Sequence, residues 1–182
     1  MKIIKILFVT ELLMIGALTA LLFAEIPVPE FLPRAYHRLL HIFGAILFFG
    51  NIIVAALWLT LAGIARQPDV FRYAARLVNI SDLTFTGPGL IFLLLNGAVL
   101  SAGYGKILSV PWLKWALIWF SLAGVVWMTI LIPLQLRLER DAANELFPWN
   151  SAPLRKAMVV YSVFGSLTVL FVFLSFMRMV LK

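Results

Sequence analysis

Five apolar stretches dominate the chain, at about residues 3–24, 39–64, 83–103, 112–134 and 157–179, and they leave little sequence between them. Each is close to the roughly 20 residues that a helix needs to cross the hydrocarbon core of a bilayer. Inside lipid the backbone has no water to bond, so such segments must pair their own N–H and C=O groups as helices. The expected fold is therefore all-α: a polytopic membrane helical bundle of five transmembrane helices, forming one integral domain over 1–182. Composition agrees, with 63% hydrophobic residues and a mean hydropathy of +1.03, against roughly 45–50% apolar in soluble domains. The first segment has the outline of a secretory signal, with Lys2 and Lys5 ahead of an apolar run. Its length, Glu11 within it, and the lack of a small-x-small cleavage site before Glu25 favour a retained helix.

The net charge of +7 does not point to nucleic acid. The basic residues flank helix ends, as membrane topology demands, so the expected partner is the lipid bilayer and no nucleic acid. Lys2 and Lys5, then Arg66, Arg72 and Arg76 in the loop after the second helix, then Arg137, Arg140, Arg155 and Lys156 after the fourth, place those ends and the N-terminus in the cytoplasm. Arg34, Arg38, Lys106 and Lys114 fall on the other side, offset by Glu25 and Glu30. Arg178 and Lys182 fall there too, against the rule. The chain has no cysteine, which excludes disulfides, thiolate metal sites and cysteine nucleophiles.

Proline and glycine punctuate the bundle. Pro27, Pro29 and Pro33 make an extended, stiff loop that is expected to lie as a lid over the start of the second helix. Gly87-Pro88-Gly89 predicts a kink within the third. Gly103-Tyr-Gly105 and Pro111 bracket the next turn. Pro133 is expected to end or bend the fourth helix ahead of a charged extension, Gln135 to Asp141. Pro148-Trp149 and Pro153 break the loop before the fifth.

One helix face carries most of the candidate chemistry. His37 and His41, the only histidines, continue at helical spacing into Gly44, Phe48, Asn51, Ala55 and Trp58. Polar groups on a lipid-embedded helix cost free energy unless they meet a partner. Neutral imidazole is a ligand for heme iron, copper or zinc. Residues four apart share one face, so His37 and His41 cannot be the two trans ligands of one heme, although they can chelate one small ion. With His41 as axial ligand, Gly44 would leave room for a flat ring. Phe48, Trp115 and Trp119 would wall it, and Arg34, Arg38 and Lys114 would pair with propionates. Asn96 and Ser101 approach the level of the histidines. Plainer readings stand beside these. His37 reads as interfacial with Arg38 snorkelling, Gly44 and Gly50 as packing points, and the tryptophans as an interfacial belt. Glu11 and Asn51 are expected to form a buried pair, and Asp82, beside Ser81, to cap the third helix.

The segments Leu39–Asn51, Asp82-Leu-Thr-Phe85-Thr86-Gly-Pro88 and Leu131-Ile-Pro133-Leu-Gln135-Leu-Arg137 resemble a bacterial family of predicted integral membrane proteins, a domain family of unknown function. The resemblance covers helices two to five, so helix one looks like an addition to a four-helix core, and it implies the bacterial cytoplasmic membrane. More distantly, the His-x-x-Gly-Ala helix is similar to the first helix of the CopD-like copper-resistance proteins and the HemJ-type protoporphyrinogen oxidases. In the latter the matching histidine, here His41, is a heme b ligand. Trp112-Leu-Lys114 is similar to their tryptophan–lysine element but with different spacing, which sets protoporphyrinogen oxidase activity aside. With the His41 and Gly44 face, the resemblance implies a heme b protein of membrane electron transfer or redox chemistry; a quinone or another membrane redox partner is inferred from outside the chain. Two alternatives stay open: copper or zinc handling by His37 and His41, and a non-catalytic subunit of a homo-oligomer or larger membrane complex.

Overall fold

The computed structural model describes residues 2–142 and 151–182, with side chains from residue 6 onward. Pro148-Trp149 and the side chains of Lys2 and Lys5 lie outside the described residues. Helix α1 spans Lys2–Phe23 and α2 spans Arg34–Ala65. Helix α3, Pro68–Ser81, runs through a π-helical turn, Asp82–Thr86, into α4, Gly87–Ser101. Helix α5, Pro111–Val126, runs through a second π-helical turn, Trp127–Leu131, into α6, Ile132–Ala142, and α7 spans Ala152–Leu181. These make five helical spans long and apolar enough to cross a membrane, and no strand occurs among the described residues.

Prolines set the helix starts. Pro33 is the extended residue before α2, and Pro68 and Pro111 open α3 and α5. In the first turn a missing N–H costs nothing, because that donor has no intrahelical partner. Pro153 sits in the first turn of α7, where the Ser151 hydroxyl accepts the Leu154 N–H at 3.3 Å, so it begins a helix rather than breaking a loop. Arg66 ends α2 in the left-handed conformation, with φ of 53°.

The third span begins fifteen residues before the apolar run suggested, at Pro68 rather than 83. Arg72 and Arg76 therefore stand on a helix and not in a loop. The reason is amphipathicity: Phe71, Ala74, Ala75, Val78 and Ser81 are buried at helical spacing, while Asp69, Arg72, Arg76 and Asn79 break the apolar run between them. Such a helix is stabilised by packing on one side without being apolar throughout. It packs on α2 and α6, and α6 carries the charged run Gln135 to Asp141 in helical form up to Ala142.

The break at Gly87-Pro88-Gly89 takes the form of a π turn just before the proline. Proline lacks an N–H, and its ring collides with the carbonyl four residues back. Widening the turn lets the Gly87 N–H reach the Asp82 carbonyl and eases that collision. Pro133 has the same solution, with the Ile132 N–H reaching the Trp127 carbonyl. The helix does not end there. The α2–α4 and α5–α7 pairs are the most extensive packings in the bundle, and α1 lies mainly along α4.

Candidate functional site

The α2 stripe faces α4, and it is buried at His37, Gly44, Phe48 and Ala55. Its last member departs, since Trp58 is 40% exposed. The two helices cross in backbone contact. A Cβ on Gly44 would lie 2.6 Å from both the Gly89 carbonyl oxygen and the Leu93 nitrogen, and one on Gly89 would lie 2.8 Å from the Phe48 nitrogen. Small residues allow such an approach. The space at Gly44 is thus filled by α4 rather than left for a flat ring.

His37 is fully buried, not interfacial. Its Nδ1 stands 2.7 Å from Asn96 Oδ1. The Asn96 amide donates from Nδ2 to the Phe92 carbonyl at 2.8 Å, which turns Oδ1 toward the ring and makes Nδ1–H the donor. Nε2 accepts the Leu32 N–H at 3.2 Å, and Phe31 meets the ring edge-on at 4.5 Å. The proline-rich loop is thus a lid over this histidine, and both ring nitrogens are engaged by the protein.

His41 is arranged differently. Nδ1 lies 2.7 Å from the Leu93 carbonyl oxygen, which can only accept, so this nitrogen carries the proton. The ring rests on Gly97, where a Cβ would come within 3.1 Å of Cε1. Nε2 keeps its lone pair and has no hydrogen-bond partner among the described residues. His41 lines a cavity of about 400 Å³ between α2, α4, α5 and α7, whose other walls are Phe48, Phe49, Leu113, Phe120, Phe176 and Met179 among others, with Ser101 and Ser175 its only other polar side chains among the described residues.

The remaining candidates are dispersed. Arg34 donates from Nη2 to the Leu100 carbonyl at 3.0 Å and packs at Gly103. Arg38 and Lys114 are exposed and form no ion pair among the described residues. Lys114 Nζ lies 6.0 Å from the Trp115 ring. Trp115 stacks on Trp119, which stacks on Phe171. These rings pack on one another outside the cavity rather than walling it.

A second polar centre surrounds Asp82, which is buried at 5% exposure. Asn51 does not pair with Glu11. Its Nδ2 donates to Asp82 Oδ1 at 3.0 Å and to Thr86 Oγ1 at 2.8 Å, and the Thr86 hydroxyl donates to the same Oδ1 at 3.0 Å. Glu11 instead lies over Gly87. Nor does Asp82 cap a helix, because α3 continues through it. Its Oδ2 has no hydrogen-bond partner of good geometry, although the Gln135 amide and the Trp127 indole stand beside the carboxyl. Gln135 Nε2 donates to the Tyr161 hydroxyl at 3.3 Å. The sequence pattern gives no site role to Gly97, Trp127 or Tyr161, and places Gln135 in the Leu131–Arg137 motif without a role. The signal available was the pair of buried-span prolines, each of which forces a π turn, a feature frequent at functional sites.

Searches of curated proteins and of solved structures gave no match. The wider likeness to CopD-like and HemJ-type proteins rests on the sequence motifs alone. Residues 35–182, from the start of α2 to the end of α7, match the family described as predicted integral membrane protein (DUF2269), and the chain belongs to that family.

Proposed function

We propose that this membrane protein binds heme b with His41 as an axial ligand and serves in membrane electron transfer. The observation that carries the reading is the state of His41, a residue lining an apolar cavity: Nδ1–H is fixed on the Leu93 carbonyl, which leaves Nε2 as the ring's available donor atom. A ligating histidine characteristically donates its other ring N–H to a carbonyl or carboxylate, which fixes the tautomer and the ring orientation. The residues present fit the group in two respects, a free imidazole nitrogen and an apolar surround. Arg38 and Lys114, exposed at the same end of the bundle, are the cations available to propionates. Bound there, heme supplies one-electron chemistry with a potential set by ligand, burial and hydrogen bonding. The chain's own part is to hold the ligand tautomer and exclude water. The electron partner would be a lipid-soluble carrier such as a quinone, because the cavity lies within the span. His37, with both nitrogens engaged, supports the lid and not a copper or zinc chelate. The basic flanks of α3 and α6 favour a cytoplasmic N-terminus in the bacterial inner membrane.

The test is the absorption spectrum of protein purified from heme-sufficient cells, oxidised and reduced. A Soret band that disappears in His41→Ala while the protein stays folded supports the reading. Folded wild-type protein without a Soret band, or His41→Ala with full heme, overturns it.

A further inference from the structure

The Asp82 centre lies on the same α2 stripe as His41, but ten residues along it from His41 to Asn51, about 15 Å at the helical rise. It is separated from the His41 cavity by the Gly44–Gly89 crossing and by Phe48 and Phe120, whose rings meet at 5.8 Å. Toward the opposite end of the bundle the polar groups continue. One turn before Asp82 on α3, Asn79 Nδ2 donates to Glu139 Oε2 at 2.6 Å, and Glu139 stands one turn beyond Gln135 on α6. The Asn79–Glu139 bond therefore joins α3 to α6, and one turn along Gln135 stands beside the Asp82 carboxyl. The exposed Arg140 follows Glu139 on α6. A buried carboxylate is costly unless it is paired with a cation or neutralised by a proton, and no cation pairs with Asp82 among the described residues. Tyr161 on α7 is the titratable group that feels the Asp82 carboxyl; Glu139 on α6 lies a turn away on Asn79, and Glu11 on α1 lies over Gly87. Among the described residues α2 and the second π turn contribute Asn51 and Trp127.

We propose that Asp82 is a proton-binding site with one-sided access: its unpartnered Oδ2 takes up a proton by way of Glu139 from the end of the bundle where α3 begins, and is closed toward the His41 cavity. The proton comes from water at that end, forms the O–H bond on Oδ2, and takes the carboxyl from −1 to neutral. No co-reactant is needed. Asn51 and Thr86 hold Oδ1 in both states. The proposal is independent of heme.

The experiment is infrared difference spectroscopy of the full chain in lipid nanodiscs, titrated with pH in H₂O and in D₂O. A protonated carboxyl band that grows on acidification, shifts in D₂O, is lost in Asp82→Asn and persists in Glu11→Gln is the expected result. Glu139→Gln should slow its hydrogen–deuterium exchange by about a hundredfold, the scale of a positioned proton donor. If Asp82→Asn fails to fold, Thr86→Val, which removes one donor to Oδ1, should still move the band frequency. A band unchanged in Asp82→Asn or in Thr86→Val overturns the proposal, as does unchanged exchange in Glu139→Gln. A band that disappears on adding Na⁺ at constant pH also overturns it, and marks a metal-cation site instead.

Discussion

Replacing Gly44 by alanine tests the α2–α4 crossing on which both histidines depend. The new methyl would lie 2.6 Å from the Gly89 oxygen and the Leu93 nitrogen, both backbone atoms, so no side chain can swing aside. To reach ordinary contact near 3.4 Å the helices must part by about 0.8 Å. That would stretch the His41–Leu93 bond from 2.7 Å to about 3.5 Å, at the limit of a hydrogen bond, and strain the His37–Asn96 bond on the same interface. Overpacking costs about 1–3 kcal/mol, and each weakened hydrogen bond inside a membrane about 0.6 kcal/mol. The expected loss is about 2–4 kcal/mol. Gly50, six residues further along the same helix, has nothing within 4 Å of its would-be Cβ, so Gly50→Ala should bring no loss and at most a gain of about 1 kcal/mol from helix propensity. Reversible unfolding in mixed micelles, as a function of sodium dodecyl sulfate fraction, measures both. Equal stability of the two variants, in either direction, would refute a backbone-contact crossing at Gly44.

Three further outcomes follow from single contacts. Asn96→Ala leaves the buried His37 Nδ1–H without its acceptor and should cost about 1–3 kcal/mol, with a changed ring-nitrogen NMR signature for His37. Gly97→Ala places a methyl 3.1 Å from His41 Cε1; it should cost less than about 1.5 kcal/mol yet, if His41 holds heme as proposed, alter the visible spectrum, and an unchanged heme spectrum would remove His41 from the site. Ser175→Ala deletes the 2.9 Å bond to the Ala116 carbonyl between α7 and α5; because that carbonyl keeps its own helix, the loss should stay near 0.6 kcal/mol in the same unfolding assay.

The five spans were readable because lipid leaves the backbone no alternative to helices, and apolar length alone then counts them. The inward face of α2 was readable for the same kind of reason: small and polar residues recurring at helical spacing must find a partner. What the pattern could not name was the partner. Asn51 was paired with Glu11 because both are polar and lie near the middle of their helices, but Asp82 reaches it through a π turn that no fixed 3.6-residue period contains. Asp82 in turn looked like a cap because the apolar run begins just after it, whereas α3 is held by packing rather than by hydropathy. His37 and His41 have the same residue type and share one helix face, yet one is closed by Asn96 and Leu32 and the other leaves Nε2 free. Those partners come from α4 and from the lid, and their identity depends on register between helices, which sequence spacing within α2 does not contain.

Phe48 is where the two polar centres meet without communicating. With Phe120 it lines both the cavity of about 400 Å³ beside His41 and a second one of about 310 Å³ that reaches Trp127, the indole beside the Asp82 carboxyl. A proton chain needs hydrogen-bond steps of about 3 Å, and an aromatic ring supplies none, so the partition isolates the acid from the imidazole. Phe48→Ala should merge the two cavities and cost about 3–5 kcal/mol, the usual range for deleting a buried phenyl ring. It should also open Asp82 to the His41 side. Exchange of the Asp82 carboxyl proton, slow in Glu139→Gln, should then recover in the Phe48→Ala/Glu139→Gln double variant. If exchange stays slow, the ring is packing alone and the closure toward His41 lies in the Gly44–Gly89 crossing.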